Sequence, residues 1–271
     1  MNGKISQIEV KLPRNKISVK QICIKNKWDY LKIFEKTGIK YVYHSSKKES
    51  ALNLAISAGK KLIRKNKNID ALIYVTQSPE FNLPTNACVI QNKLGLKKNI
   101  IAYDLNQGCT GFIYGLYNAQ LLFEDNFINN VLVICSDTYT KNINKNNKSC
   151  LTLFSDGATA ILLKKSKTKK NQFIFYTDGS GENDLKLYFS GNQIVKNKKP
   201  DLFMDGRKVL MFTMNTVPKI IKKTLKENKI TVSKLKYILF HQASKIVIDN
   251  LIRKMNLPQD KVYKNYDKYG N

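Results

Sequence analysis

The sequence is poor in histidine and has no long apolar run, and each deficit excludes a class of function. Its two histidines, His44 and His241, have no cysteine or carboxylate neighbours at zinc-site spacing, so we predict no metal centre. No stretch approaches the roughly 20 apolar residues that a membrane-spanning helix needs, and the segment MNGKISQIEV lacks the apolar core of a secretory signal. We therefore expect a cytoplasmic protein with no membrane partner.

Acidic residues are also scarce, with 20 Asp and Glu against 47 Lys and Arg, which gives a formal net charge of +27. Such a charge would suit an anionic partner such as nucleic acid or an acidic carrier protein. However, lysine and asparagine recur in every segment, and no RNP or C2H2 motif is present. We interpret the charge as a compositional bias on solvated faces and predict no nucleic-acid partner.

The five cysteines form no C-x-x-C pair, and an odd count without a secretory signal argues against a disulfide framework. We expect reduced thiols. The chain of 271 residues is 42% hydrophobic, so it can bury one large core or two fused ones without cross-links.

Strand and helix signals alternate along the first part of the chain. The patterns predict a helix over 50–66, a strand over 70–76, a helix opened by Pro84, and strands over 100–105 and 131–136. Between the last two strands, TGFIYGLYNAQLLF is apolar nearly all round, which predicts a buried helix. The segment LTLFSDGATAILL is predicted to form two strands interrupted by a turn at Asp156-Gly157.

The lysine-rich segment KKSKTKK is the best candidate boundary, and it divides the chain into halves at 1–165 and 166–271. The second half is predicted to contain strands over 172–176 and 236–240 and helices over 206–228 and 243–256, the first of them kinked or broken at Pro218. Two successive mixed α/β halves suggest an internal duplication.

Cys109 stands between a predicted strand and the head of the predicted buried helix. A helix N-terminus lowers a thiol pKa, and this setting would hold the sulfur at a fixed point under a dry pocket. A cysteine taken singly is more often a small core residue. His241 could likewise be a hydrogen-bonded core residue, and Asn271 after Gly270 could be ordinary turn chemistry.

Taken together, these residues carry a resemblance to the β-ketoacyl-acyl carrier protein synthase III family. DLNQGCTGFIYGL resembles the nucleophile region of that family, and LFSDGATAILL resembles its Phe-Gly-Asp-Gly-Ala strand pair. HQASKIVIDNLIRKMNLPQDKVYKNYDKYGN resembles its His-Gln-Ala-Asn helix and following Tyr-Gly-Asn. KTGIKYVY and TQSPEFNLPTNACVIQNKLG match earlier motifs, so the resemblance runs in order from about residue 30 to the last residue.

The resemblance implies a thiolase-like α/β fold, with two duplicated mixed α/β halves in an αβαβα layered arrangement. It also implies a condensation in which Cys109 accepts an acyl group from a coenzyme A thioester. Malonyl-ACP then loses CO2, and its carbanion attacks the acyl-enzyme to give β-ketoacyl-ACP. His241 and Asn271 would donate hydrogen bonds to the enolate oxygen that forms on decarboxylation.

Several positions depart from the family pattern where coenzyme A would bind. Lys36 and Lys148 replace arginines, which keeps the charge but loses the bidentate fork. Ser244 replaces the family asparagine, and Ile246 replaces an arginine that faces the cofactor phosphates. The resemblance implies that Lys36, Lys148 and Ser244 contact a coenzyme A thioester that serves as substrate, with no permanently bound cofactor.

Two further positions concern the acyl pocket. Gln107-Gly108 replaces the small pair, often Ala-Ala, that precedes the nucleophile in the family. Leu83 matches a position that reaches across a dimer interface to close the partner's acyl pocket, so the resemblance implies a homodimer.

The chain ends at Asn271, where the family continues with Thr/Ser-Ala-Ala and closing strands, so we expect a truncated C-terminal half. Three alternatives to the condensing enzyme stay open. One is a catalytically inactive thiolase-fold fragment with a basic binding surface, and a second is a condensing enzyme of secondary metabolism with a different acyl donor. The third and most distant is a nucleic-acid binder.

Overall fold

The computed structural model describes residues 2–64, 67–167, 171–193 and 195–271. Contacts between residues divide the chain into two compact units that alternate along the sequence. The first unit comprises Met1–Asn15, Ser45–Thr138 and Asp156–Asn171, and the second comprises Lys16–His44, Tyr139–Ser155 and Gln172–Asn271. No single cut in the sequence separates the two units, since each consists of three segments. The division at residue 165 and the internal duplication stay predictions.

The helices and strands occur in the following chain order. They are β1 (Asn2–Lys11), β2 (Asn15–Ser18), α1 (Val19–Lys25), α2 (Tyr30–Thr37), β3 (Tyr41–His44), α3 (Ala51–Ile63), β4 (Ala71–Val75), α4 (Asn86–Leu94), β5 (Ile101–Leu105), α5 (Gly111–Leu122), β6 (Asn130–Asp137), α6 (Lys148–Leu151), β7 (Gly157–Ser166), β8 (Leu185–Tyr188), β9 (Asp201–Met204), α7 (Gly206–Glu227), α8 (Lys245–Met255) and α9 (Tyr266–Tyr269).

The first unit is built on a five-stranded sheet with the order β1-β7-β6-β4-β5. Strand β4 runs parallel to β5 and β6, whereas β7 is antiparallel to both β6 and β1. Alternate residues of β4 and β6 point to opposite faces. Leu72, Tyr74 and Leu132 pack with α3 and α4 on one face, while the opposite face packs with α5.

A buried carboxylate ties the start of this sheet together. Asp70, which is 8% exposed, accepts hydrogen bonds from the backbone N–H groups of Asn129 and Asn130, both at 2.9 Å. Lys97 Nζ donates to the same carboxylate at 2.8 Å. Burial acts to raise the pKa of Asp70, but these donors together lower it, so the side chain is held as a carboxylate.

The second unit contains two small strand pairs, β2 with β3 and β8 with β9. Its core joins α1, β3, α6 and α8, with contributions from Cys23, Val42, Cys150 and Ile248. Helix α7 continues through Pro218, so the prediction that the helix breaks there is wrong. Pro218 is the buried residue of this helix, although its ring removes one backbone hydrogen bond.

Three predicted strands are wrong. Residues 151–154 form no strand: Leu151 ends α6, whose first turn is capped by the Asn147 side chain accepting from the Cys150 N–H at 3.1 Å, and residues 152–153 form a turn. Residues 172–176 form no strand, since the backbone N–H and C=O of Gln172 bond to the Asn228 side chain. Residues 236–240 form only an isolated bridge between Ile238 and Val262.

Other predictions need smaller changes. Pro84 does not open α4: it follows a cis peptide bond with Leu83, and the helix begins at Asn86. The candidate boundary KKSKTKK overlaps β7 as far as Ser166, and its residues 168–170 lie outside the described residues. Among the described residues, none of the helices combines the length and apolar character needed to cross a membrane. The same part of the chain has no cluster of His, Cys, Asp and Glu side chains that could hold a metal ion.

Candidate active site

Cys109 lies in the turn between β5 and α5. The turn closes with a hydrogen bond from the Gly111 N–H to the Gly108 carbonyl at 2.9 Å, and Thr110 is the N-cap residue of α5. Cys109 is exposed in the single chain, which differs from the expected setting under a dry pocket. The helix is also only partly buried, with Ile113 44% exposed, which corrects the prediction of burial on all sides.

Helix α5 lies very close to the sheet because glycines face it. A Cβ atom at Gly111 would overlap Val75 Cγ1, and one at Gly115 would lie 2.9 Å from Val133 Cγ1. Ala119, one turn further along, is 1% exposed. This spacing of small residues by four defines the buried face of the helix and holds the Cys109 turn at the carboxyl ends of the parallel strands.

A polar network lies beside the Cys109 turn. The Gln77 N–H donates to Asp137 Oδ1 at 2.7 Å, and Thr76 Oγ1 donates to the same oxygen at 3.2 Å. Gln77 Nε2 donates to Asn106 Oδ1 at 2.9 Å, and Gln77 Oε1 lies 2.6 Å from the position of a Cβ atom at Gly108. Burial raises the pKa of Asp137 to about 6, although the hydrogen bond from the Gln77 N–H acts in the opposite direction.

A second carboxylate fixes the chain before α4. Asp104 of β5 accepts hydrogen bonds from the Asn86 N–H at 2.8 Å and from the Ala87 N–H at 2.7 Å. These are N–H groups of the first turn of α4, which have no partner within the helix. Leu83, just before this anchored turn, is 89% exposed.

His241 lies in the second unit, on the segment that leads into α8, and it is exposed. Its neighbour Gln242 fixes the segment, because the Gln242 Nε2 donates to the Phe240 and Tyr263 carbonyls and its Oε1 accepts from the Asn265 N–H at 2.8 Å. The loop of His241 is thereby tied to the chain that leads to the C-terminal residues.

Asn271 is held through its backbone. Its N–H donates to the Leu153 carbonyl at 2.9 Å, and its carbonyl accepts from the Ser155 N–H at 2.8 Å. Gly270 has a φ of +71°, and a Cβ atom there would lie 2.5 Å from Ser155 Oγ, so only glycine fits without strain. This pairing fixes the backbone from which the Asn271 side chain extends.

The remaining predicted residues also lie in the second unit. Lys36 is an exposed residue of the last turn of α2, and Lys148 is an exposed residue at the start of α6. Ser244 is the N-cap residue of α8 and is 7% exposed. The lysines are therefore accessible to an anionic ligand, whereas Ser244 offers little surface.

Sequence reasoning missed Gln77 and Asp137. One signal in the sequence could have indicated Gln77, namely that Gln107-Gly108 replaces the small pair of the family. In the structure, the Gln77 side chain lies beside Gly108. Asp137 ends a strand with no motif of its own, so only the tertiary structure reveals it.

Comparisons with known proteins identify the class of fold. A crystal structure of a 3-oxoacyl-(acyl-carrier-protein) synthase III superposes with a TM-score of 0.93 at 29% identity and covers 100% of this chain and 87% of that chain. The chain therefore has the mixed α/β thiolase fold of the condensing enzymes, and the predicted fold class is confirmed.

Sequence comparisons identify the family within that class. The 3-oxoacyl-[acyl-carrier-protein] synthase III family matches residues 103–180, and its C-terminal part matches residues 225–271. A β-ketoacyl-[acyl-carrier-protein] synthase III of Fusobacterium nucleatum is 33% identical over 87% of this chain and 75% of that protein. One of Streptococcus pneumoniae is 33% identical over 99% of this chain and 85% of that protein. The chain belongs to the β-ketoacyl-acyl carrier protein synthase III family, and it is an acyl-transferring condensing enzyme.

Proposed function

We propose that the chain transfers an acyl group from acyl-coenzyme A to Cys109 and then condenses it with malonyl-ACP, which initiates fatty acid or related chain synthesis. The observation that carries this proposal is the match to β-ketoacyl-ACP synthase III proteins over most of the chain, which includes the Cys109 segment. The exposed position of Cys109 after β5 supports its role, since a thioester can approach it.

In the first step, the Cys109 thiolate attacks the thioester carbonyl, and the coenzyme A thiolate leaves. The positions Lys36, Lys148 and Ser244 are proposed to contact the coenzyme A part of this substrate. The two exposed lysines fit that role because ammonium groups attract phosphates as point charges. The family resemblance implies no permanently bound cofactor.

In the second step, malonyl-ACP loses CO2 and becomes an enolate. His241 and Asn271 are proposed to donate hydrogen bonds to the enolate oxygen, which stabilises the charge as it develops. The enolate carbon then attacks the acyl group on Cys109, the sulfur leaves as a thiolate, and β-ketoacyl-ACP is released. The fixed loop of His241 and the fixed backbone of Asn271 support these roles, since such donors act best when they do not need to reorganise.

A homodimer and an acidic carrier protein are the proposed partners. Leu83 is proposed to close the acyl pocket of the second subunit, and its 89% exposure in the single chain leaves it available for such a contact. The net charge of +27 would speed encounter with an acidic carrier, because complementary charge raises association rates more than it sets affinity. The cytoplasmic location stays a prediction.

An acyl-ACP donor, or a substrate of secondary metabolism, is the second candidate. The observation that favours it is the loss of the arginine forks at Lys36 and Lys148 together with the apolar Ile246 in the place of a phosphate-facing arginine. The donors are compared directly by measuring acylation with acyl-CoA and with acyl-ACP of the same chain length.

The test of the first step is intact-mass spectrometry after incubation with acetyl-CoA and longer acyl-CoAs. We expect an acyl mass increment on the parent protein and none on Cys109→Ala. Cys88→Ala is the matched control, because Cys88 is the other exposed cysteine and its removal should leave the increment in place. An increment that persists in Cys109→Ala would contradict the assignment of the nucleophile.

A further inference from the structure

We propose that Gln77 is a positioning residue for the nucleophile: its side-chain amide clamps the turn that carries Cys109, and Gly108 leaves the room that this amide occupies. The inference rests on the proposed function, in which Cys109 is the acyl acceptor. It concerns residues that the proposed mechanism does not otherwise use.

The backbone of Gln77 is fixed from one side. Its N–H donates to Asp137 Oδ1 at 2.7 Å, which joins the end of β4 to the end of β6. The neighbouring Thr138 N–H donates to Ser78 Oγ at 3.1 Å and adds a second link between the same two segments. The side chain of Gln77 therefore starts from a backbone with little freedom to move.

The side chain of Gln77 contacts the turn at two points. Its Nε2 donates to Asn106 Oδ1 at 2.9 Å, three residues before Cys109. A Cβ atom placed at position 108 would lie 2.6 Å from the Oε1 of Gln77. Gln77 is itself an exposed residue, and its amide lies against the residue that directly precedes the nucleophile.

Gly108 has no backbone need to be glycine. Its φ is not in the left-handed region, unlike that of Gly38, Gly95, Gly191 and Gly270. The nearest atoms that an added Cβ would meet are the Oε1, Cδ and Nε2 of Gln77. An alanine at 108 would therefore displace the Gln77 amide, so we treat Gln77 and Gly108 as one complementary unit.

This unit bears on catalysis through geometry. Acyl transfer needs the sulfur aligned with the thioester carbonyl, and misplacement by about 1 Å can lower a rate by about 100-fold. A methyl group at 108 would push the amide away and break its hydrogen bond to Asn106. Removal of the amide would leave the turn without the same clamp.

The test is a double-mutant cycle of Gln77→Ala, Gly108→Ala and the double variant, all in a Cys88→Ala background so that Cys109 is the one exposed cysteine of the described residues. Single-turnover acylation by acyl-CoA is followed by intact mass, and the pH profile of Cys109 alkylation by iodoacetamide is measured in parallel. We expect each single variant to slow acylation on the order of 10-fold, with an unchanged KM for acyl-CoA.

The double variant should be no slower than either single variant, because the methyl group no longer meets an amide. Gln77→Met and Gln77→Glu fill the same room but cannot donate a hydrogen bond to Asn106 Oδ1, so both variants should be slow. Strictly multiplicative effects of the two single changes, or unchanged acylation and alkylation in Gln77→Ala, would overturn the proposal.

The two readouts separate this inference from the proposed function. The alkylation profile needs no acyl donor, so it reports the Cys109 turn even if the parent protein is not acylated by coenzyme A thioesters. Unfolding midpoints of all variants identify a general loss of stability, which would lower both rates without the non-multiplicative pattern.

Discussion

Substitution of Gly111 by alanine tests the close approach of α5 to the sheet. The added methyl group would overlap Val75 Cγ1, and Val75 is only 3% exposed, so neither side chain can turn into solvent. Overpacking of this kind destabilises a core by about 1–3 kcal/mol. Because Gly111 is two residues from Cys109, the forced movement of the helix should also slow acylation.

The assay is urea denaturation of Gly111→Ala, Val75→Ala and the double variant. Val75→Ala alone should lower the free energy of unfolding by about 2 kcal/mol through lost burial, but it opens the room that the new methyl group needs. The second substitution should therefore be close to neutral in that background, with a coupling energy of about 1 kcal/mol or more. Gly115→Ala is the matched control, since its Cβ atom would meet Val133 at 2.9 Å and should couple to Val133 instead. Full additivity of Gly111→Ala and Val75→Ala would refute the reasoning.

Two further predictions concern buried carboxylates. Asp70→Ala should lower the free energy of unfolding by about 3–5 kcal/mol. The substitution leaves the N–H groups of Asn129 and Asn130 and the charge of Lys97 without their acceptor. A loss below about 1 kcal/mol in urea denaturation would contradict this prediction. Asp137 has a folded pKa of about 6 against an ordinary value of 3.8, so the stability from its protonation is present at low pH and is lost as the pH rises through that range. Between pH 4 and pH 7 the free energy of unfolding of the parent should therefore fall by up to about 3 kcal/mol relative to that of Asp137→Asn. Parallel curves of this free energy against pH for the two proteins would contradict the raised pKa of Asp137.

The alternation of strands and helices in the first unit could be predicted because its segments carry regular patterns. Helix α3 begins at the capping box of Ser50 and Asn53, and β4 is an uninterrupted apolar run, so both lie where the sequence predicted them. The second unit was harder to predict from the sequence. Short apolar runs such as 236–240 have the composition of a strand, but this run pairs with the rest of the chain only through the isolated bridge between Ile238 and Val262.

The candidate site was predictable only in part. The identities of Cys109, His241 and Asn271 came from motifs that resemble a family, and their roles stay proposals. The contacts of Gln77 with Asn106 and Gly108 join segments about 30 residues apart, and no local pattern reports such a pairing. The exposure of Cys109 was also unexpected, because the apolar character of α5 indicated burial without showing which of its sides faces the sheet.

The most direct test of the central claim is a mass measurement of both enzyme and carrier protein after incubation with acyl-CoA and malonyl-ACP. The account predicts β-ketoacyl-ACP with the parent enzyme and neither product nor acyl-enzyme with Cys109→Ala. With His241→Ala and Asn271→Ala it predicts acyl-Cys109 that accumulates without β-ketoacyl-ACP. Formation of β-ketoacyl-ACP by Cys109→Ala, or full condensation by both of the other variants, would contradict it.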